Sequence, residues 1–101
     1  MSPFDVLAEP TRRRLLDALL DGPQPVATLT ERLGLTQPGT SKHLRVLREA
    51  GLVHVRTRAQ QRVYELRPEP LAVVDAWLAP YRRMWSHSLD RLEAALDDAA
   101  D

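Results

Sequence analysis

The sequence predicts a mainly α domain of about five helices with one small β-hairpin. Apolar residues recur every three or four positions on both sides of residues 52–66, and every second position within them. A three-residue Gly34-Leu35-Thr36 turn separates two of the helical stretches. With 101 residues the chain is the size of one small domain, 1–101, and a core of that size is often marginal without a partner.

The first helix starts at Ser2-Pro3, a capping hydroxyl followed by a proline whose missing N–H costs nothing at the first helical position. Phe4, Leu7 and Ala8 give it an apolar face, and Pro10 interrupts it, because the residue before a proline avoids helical geometry. A second helix runs from about Pro10 to Leu20, with Leu15, Leu16, Leu19 and Leu20 inward. Asp21-Gly22-Pro23 stops it, Gly22 being suited to a left-handed cap. Residues 26–33 predict a third helix with Val26, Leu29 and Leu33 inward, ended by Gly34. Thr36 caps a fourth helix over roughly 37–50, with Thr40, Leu44 and Leu47 on one side and Gly51 closing it. Apolar and polar residues then alternate on either side of Ala59-Gln60-Gln61, which predicts a hairpin, or wing, without the Asn-Gly signal that would define its turn. Over 70–97 the pattern is helical again. Leu71, Val74, Leu78, Tyr81, Trp85, Leu89, Leu92 and Leu96 form a seam, and Pro80 either kinks the helix or splits it in two. Asp97 to Asp101 are polar and expected to fray. These elements in this order make a winged helix-turn-helix with a two-stranded wing.

Composition excludes several functions. There is no cysteine, hence no disulfide, thiolate metal site or thiol switch. No run of eighteen apolar residues exists to span a membrane, and the first twenty residues lack a secretory pattern, so a cytoplasmic setting is expected. Gly22, Gly34, Gly39 and Gly51 are isolated, so no phosphate-cradling loop forms, and no carboxylate pair or activated nucleophile stands out. The chain is expected to be neither an enzyme nor a cofactor binder.

Formal net charge is zero, but its distribution is uneven. Residues 36–62 hold Lys42, Arg45, Arg48, Arg56, Arg58 and Arg62 against Glu49 alone, while residues 68–101 hold three basic and seven acidic side chains. A partner feels the local patch, because salt screens charge over about 8 Å. On a helical wheel Pro38, Ser41, Lys42, Arg45 and Glu49 lie opposite Thr40, Leu44 and Leu47, with His43 as a packed or capping residue on the flank. Helix-turn-helix proteins lay such a second helix in the major groove. Gln37, Pro38, Ser41 and Lys42 would then meet base edges. Thr36, Arg45 and Arg48 would meet the DNA backbone, with Arg58 and Arg62 on the wing. Double-stranded DNA is the expected partner, and His54 is expected to be exposed. A module that binds only protein through the same fold is the competing reading.

Two segments carry a family resemblance: Leu7-Ala8-Glu9-Pro10-Thr11-Arg12-Arg13-Arg14-Leu15-Leu16, and the run from Leu35 through Ser41-Lys42-His43-Leu44 to Ala50-Gly51-Leu52-Val53. Over residues 5–67 the chain closely resembles the ArsR-type winged-helix repressors. The resemblance implies a homodimer built on the first and last helices, an operator with two-fold symmetry, and repression released by a signal that the sequence does not name. Thr30 and Thr40 stand where the family usually has Ala and Val, and the Thr40 hydroxyl, if buried, needs a partner. Many relatives sense a metal through cysteines, which are absent here, or through Asp, His and Glu on the last helix. Of that second set Asp75, His87, Asp90 and Glu93 are present, but Trp77 replaces a second histidine and the spacing to His87 is one residue short. His87 and Asp90 are therefore expected to share a surface hydrogen bond, and regulation without metal is expected. A metal-responsive repressor using the last helix is the other possibility. Phe4, Leu7, Leu78, Tyr81, Trp85, Leu89 and Leu92 form the expected dimer interface, unless the aromatics pack within the chain.

Overall fold

The computed structural model describes residues 1–100. Its elements are α1 (Pro3–Leu7), α2 (Pro10–Leu19), β1 (Gln24–Pro25), α3 (Val26–Leu33), α4 (Gln37–Glu49), β2 (Val53–Arg58), β3 (Gln61–Leu66), a 3₁₀ turn (Glu69–Leu71) and α5 (Ala72–Ala100). The expected winged helix-turn-helix is the fold found, with one addition. The wing's two strands are joined by β1 in a three-stranded sheet of order β1-β3-β2, in which Gln24 pairs with Tyr64 and Pro25 with Val63. The third strand holds because the buried Gln24 amide donates to the Ala18 carbonyl at 2.6 Å and its oxygen accepts from Arg32 at 2.9 Å. Within the hairpin Val55 faces Tyr64 and Arg58 faces Gln61, leaving Ala59-Gln60 as a two-residue loop with Ala59 at φ 57°.

The core gathers Val6, Leu15, Leu16, Leu19, Leu29, Leu44, Leu47, Leu52 and Tyr64. Three residues of the expected apolar faces, Phe4, Ala8 and Leu20, are exposed instead. Leu20 is 73% exposed, because α2 ends at Leu19 and the chain turns before it can face the core. Phe4 is 40% exposed, and Val6 is the fully buried residue of α1. Gly22 has φ 124°, but the helix has already ended at a right-handed Leu20, so Gly22 belongs to the loop rather than to a cap.

The helix starts follow the expected chemistry. Ser2 Oγ accepts from the Asp5 N–H, and the Asp5 carboxylate accepts from the Ser2 N–H, a reciprocal capping box. The Ser2 hydroxyl and N–H together hold the Asp5 carboxyl below the usual carboxylate range. Glu9 caps α2 through the Arg12 N–H.

Helix α5 is continuous through Pro80, so the proline does not split it, and it runs to Ala100 where fraying was expected. Asp101 lies outside the described residues. Leu71 belongs to the 3₁₀ turn rather than to α5. At 29 residues α5 is about 43 Å long. It accounts for the elongated shape, 65 × 26 × 21 Å. Among the described residues no helix is long and apolar enough to cross a membrane.

Candidate nucleic-acid interface

The turn between α3 and α4 is built from backbone bonds. The Gly34 N–H donates to Glu31 O at 3.3 Å and the Leu35 N–H to Thr30 O at 3.0 Å, wrapping the end of α3. Gly34 sits at φ 66°, a left-handed conformation that a side chain would strain. Thr36 then opens α4: its backbone is extended and its Oγ1 accepts from the Gly39 N–H at 3.2 Å. One turn on, the Thr40 hydroxyl is fully buried and donates to Thr36 O at 2.9 Å, so the polar atom at a core position is satisfied. At the far end the Gly51 N–H donates to Arg48 O and the Leu52 N–H to Leu47 O, at 3.0 and 2.9 Å.

Clamped in this way, α4 presents two unlike faces. Thr40, Leu44 and Leu47 are fully buried. Gln37, Pro38, Ser41, Lys42, Arg45, Arg48 and Glu49 are exposed. Between α4, the start of α3 and β3 runs a groove of about 740 Å³. It brings together Gln37, Ser41, Arg45, Arg48 and Glu49 from α4 with Gln61 and Arg62 from the wing. Thr36, Pro38, Lys42 and Arg58 are exposed outside it. Gln61 was missed by sequence reasoning. The two-residue loop carries it to the start of β3, and the turn was not defined in the sequence.

The basic residues divide by partner. Lys42, Arg48, Arg58 and Arg62 take part in none of the ion pairs found among the described residues. Arg45 Nε lies 3.2 Å from Glu49 Oε1. Arg56 is occupied at the base of the wing, 3.0 Å from Glu65 Oε2, an oxygen that His54 Nε2 also approaches to 3.0 Å. Arg67 Nε donates to His54 Nδ1. His54 is therefore half-buried in a polar cluster rather than exposed as expected, because its register partner across the hairpin is Glu65. Arg12 and Arg13 donate to the Val6 and Leu7 carbonyls and Arg14 to Leu33 O at 3.0 Å, so these charges serve as caps for α1 and α3. His43 packs against the start of α2, its Nδ1 buried without a hydrogen bond and 3.7 Å from Glu9 Oε2.

Helix α5 carries a long apolar face with little cover. Tyr81, Met84, Trp85, Leu89 and Leu92 are exposed at 44%, 65%, 56%, 64% and 56%. Of the expected interface residues, Leu7 packs partly against its own core and Leu78 is half-buried, leaving Phe4, Tyr81, Trp85, Leu89 and Leu92 open. Trp77 joins them, edge-on to Phe4 and tilted against Tyr81. Its i, i+4 relation to Tyr81 was the signal for this in the sequence.

The donors that could suit a metal do not assemble within one chain. Asp75 Oδ1 is held by Arg82 Nη1 at 2.8 Å. His87 and Asp90 share a shallow surface with Arg82 and Arg83, without the hydrogen bond expected between them. Among the described residues no three His, Asp or Glu side chains gather.

Comparison with known proteins gives a consistent set of neighbours. Residues 7–56 match a helix-turn-helix domain family. The chain is 35% identical to the HTH-type transcriptional regulator Rv2034 of Mycobacterium tuberculosis, over 97% of its own length and 89% of that protein's. It spans a smaller share, 54 to 59%, of several other curated regulators that it matches. Its fold overlays the crystal structure of the ArsR family transcriptional regulator RHA00566 with a TM-score of 0.69, at 32% identity, covering 82% of this chain and 86% of that one. A "possible transcriptional regulator for arsenical resistance" overlays with a TM-score of 0.71, at 41% identity, over 93% and 95% of the two chains.

Proposed function

The chain belongs to the ArsR family of winged helix-turn-helix transcriptional regulators, a DNA-binding regulator and not an enzyme, and on that premise we propose that it represses transcription as a metal-independent homodimer. Each protomer lays α4 in a major groove. Gln37, Pro38, Ser41 and Lys42 read base edges, Thr36, Arg45 and Arg48 grip the backbone, and Arg58 and Arg62 reach it from the wing. The observation that carries this reading is the two-faced α4. Its apolar side is fully buried, and its polar side opens into the groove shared with the wing.

The open apolar face of α5 supports the same reading. Exposed Tyr81, Trp85, Leu89 and Leu92 lie along one long helix, and an isologous pairing would remove them from water. Two-fold symmetry would then place the two α4 helices about 34 Å apart, one turn of duplex DNA. Bound at a promoter, such a dimer excludes polymerase. The absence of cysteine and the occupied Asp75 support regulation without metal.

Selection of bound sequences from random duplex DNA tests the function. Enriched sites with two related half-sites about ten base pairs apart are expected. Failure to enrich any sequence, or enrichment of single half-sites alone, would contradict the proposal. Adding stoichiometric zinc or nickel, or a chelator, is expected to change operator Kd by less than about tenfold, roughly 1.4 kcal/mol; a larger shift would contradict metal independence.

A further inference from the structure

We propose that Glu49 is an intramolecular stand-in for a DNA phosphate, holding Arg45 and setting how strongly the groove grips the backbone. The inference rests on the DNA reading above and deepens it. Glu49 Oε1 accepts from Arg45 Nε at 3.2 Å, with the two side chains 67% and 81% exposed. Both line the groove that also holds Arg48 and Arg62, so Glu49 is the one carboxylate among its lining residues.

Helix stability does not account for a glutamate at this position. The pair runs Arg then Glu along α4, the less favourable order for an i, i+4 pair. Glu49 is also the last residue of the helix, where the peptide dipoles present their negative end. What the position does offer is competition. Glu49 holds only the Arg45 Nε, so a phosphate that grips the guanidinium two-pronged through Nε and a terminal nitrogen must displace Glu49 Oε1. Because the pair is exposed to water, the displacement weakens binding only by up to about fivefold. Glu49 therefore tempers the grip on DNA without abolishing it. The readers at the start of α4 are untouched, since Gln37 lies about 18 Å away along the axis.

The test is a double-mutant cycle on a fluorescent mixed-sequence duplex, with salt titrations for every variant. Glu49→Gln keeps shape and helix propensity while removing the charge. It is expected to tighten binding about threefold to fivefold and to steepen the salt slope by up to about one unit, with an unchanged melting temperature. In the Arg45→Ala background the same substitution is expected to change little. An unchanged Kd in Glu49→Gln, or an equal gain with Arg45 absent, would overturn the competition. A wild-type chain that binds no duplex at low salt would overturn the DNA reading itself and this proposal with it.

Discussion

Trp77 on α5 meets Phe4 on α1 edge to face, with ring centroids 5.7 Å apart and planes at 84°. The same indole lies 5.1 Å from the Tyr81 ring. This contact ties the long helix to the body that carries α4, so in a dimer joined through α5 it would set where each α4 points. Trp77→Ala is expected to lower stability by about 1 kcal/mol, the worth of such ring pairs beyond their area. Thermal melting checks it, and an unchanged melting temperature would show that the contact does not hold α5 to the body.

Trp85 has a different expected role. Its side chain is more than half exposed and has no ring partner among the described residues. Trp85→Ala should leave the monomer fold intact, weaken self-association and thereby weaken operator binding. Sedimentation analysis of wild type and variant decides this. An unchanged dimer would place the interface elsewhere.

On α4 the two faces should respond in opposite ways. Leu44 is fully buried, and Leu44→Ala is expected to cost about 2–5 kcal/mol of stability through the cavity it leaves. Lys42 is exposed, and Lys42→Ala should leave the chemical-denaturation midpoint nearly unchanged while weakening DNA binding. Denaturation curves showing equal losses would contradict the orientation of the helix.

Within the exposed face, readers and grippers should separate. Gln37→Ala is expected to relax base preference at one position, costing roughly 1–3 kcal/mol on the selected operator. Arg45→Ala should weaken binding to all duplexes and flatten the salt slope by about one unit. Gel shifts on matched and scrambled duplexes distinguish the two, and the reverse pattern would reassign both residues.

The wing offers a stability test that is independent of DNA. Ala59 holds φ 57° in the two-residue loop, a conformation that costs a residue with a Cβ about 1–2 kcal/mol. Ala59→Gly is expected to raise stability by up to about 1 kcal/mol after the entropy glycine loses on folding. A lower melting temperature would mean that Ala59 makes contacts outweighing the strain.

Much of the fold was legible because periodicity reports burial. The spacing of Thr40, Leu44 and Leu47 was enough to orient α4, and Thr36 and Gly34 marked the turn before it. Legibility failed where long-range partners decide. The strand at Gln24–Pro25 is two residues long and contains a proline, so no alternation could announce it. Leu20 fits the helical stripe but lies past the point where α2 ends. His54 and Glu65 are eleven positions apart in sequence, and only the hairpin register makes them neighbours. Counting charge likewise could not separate Arg12, Arg13 and Arg14, which cap carbonyls, from Arg48 and Arg62, which lie open in the groove.

The most direct measurement is backbone amide NMR of the intact chain titrated with a mixed-sequence duplex at low salt. The largest shifts are expected on residues 36–49 and 58–62, with the outer half of α5 little changed. Perturbations confined to α5, with residues 36–49 silent, would contradict this expectation.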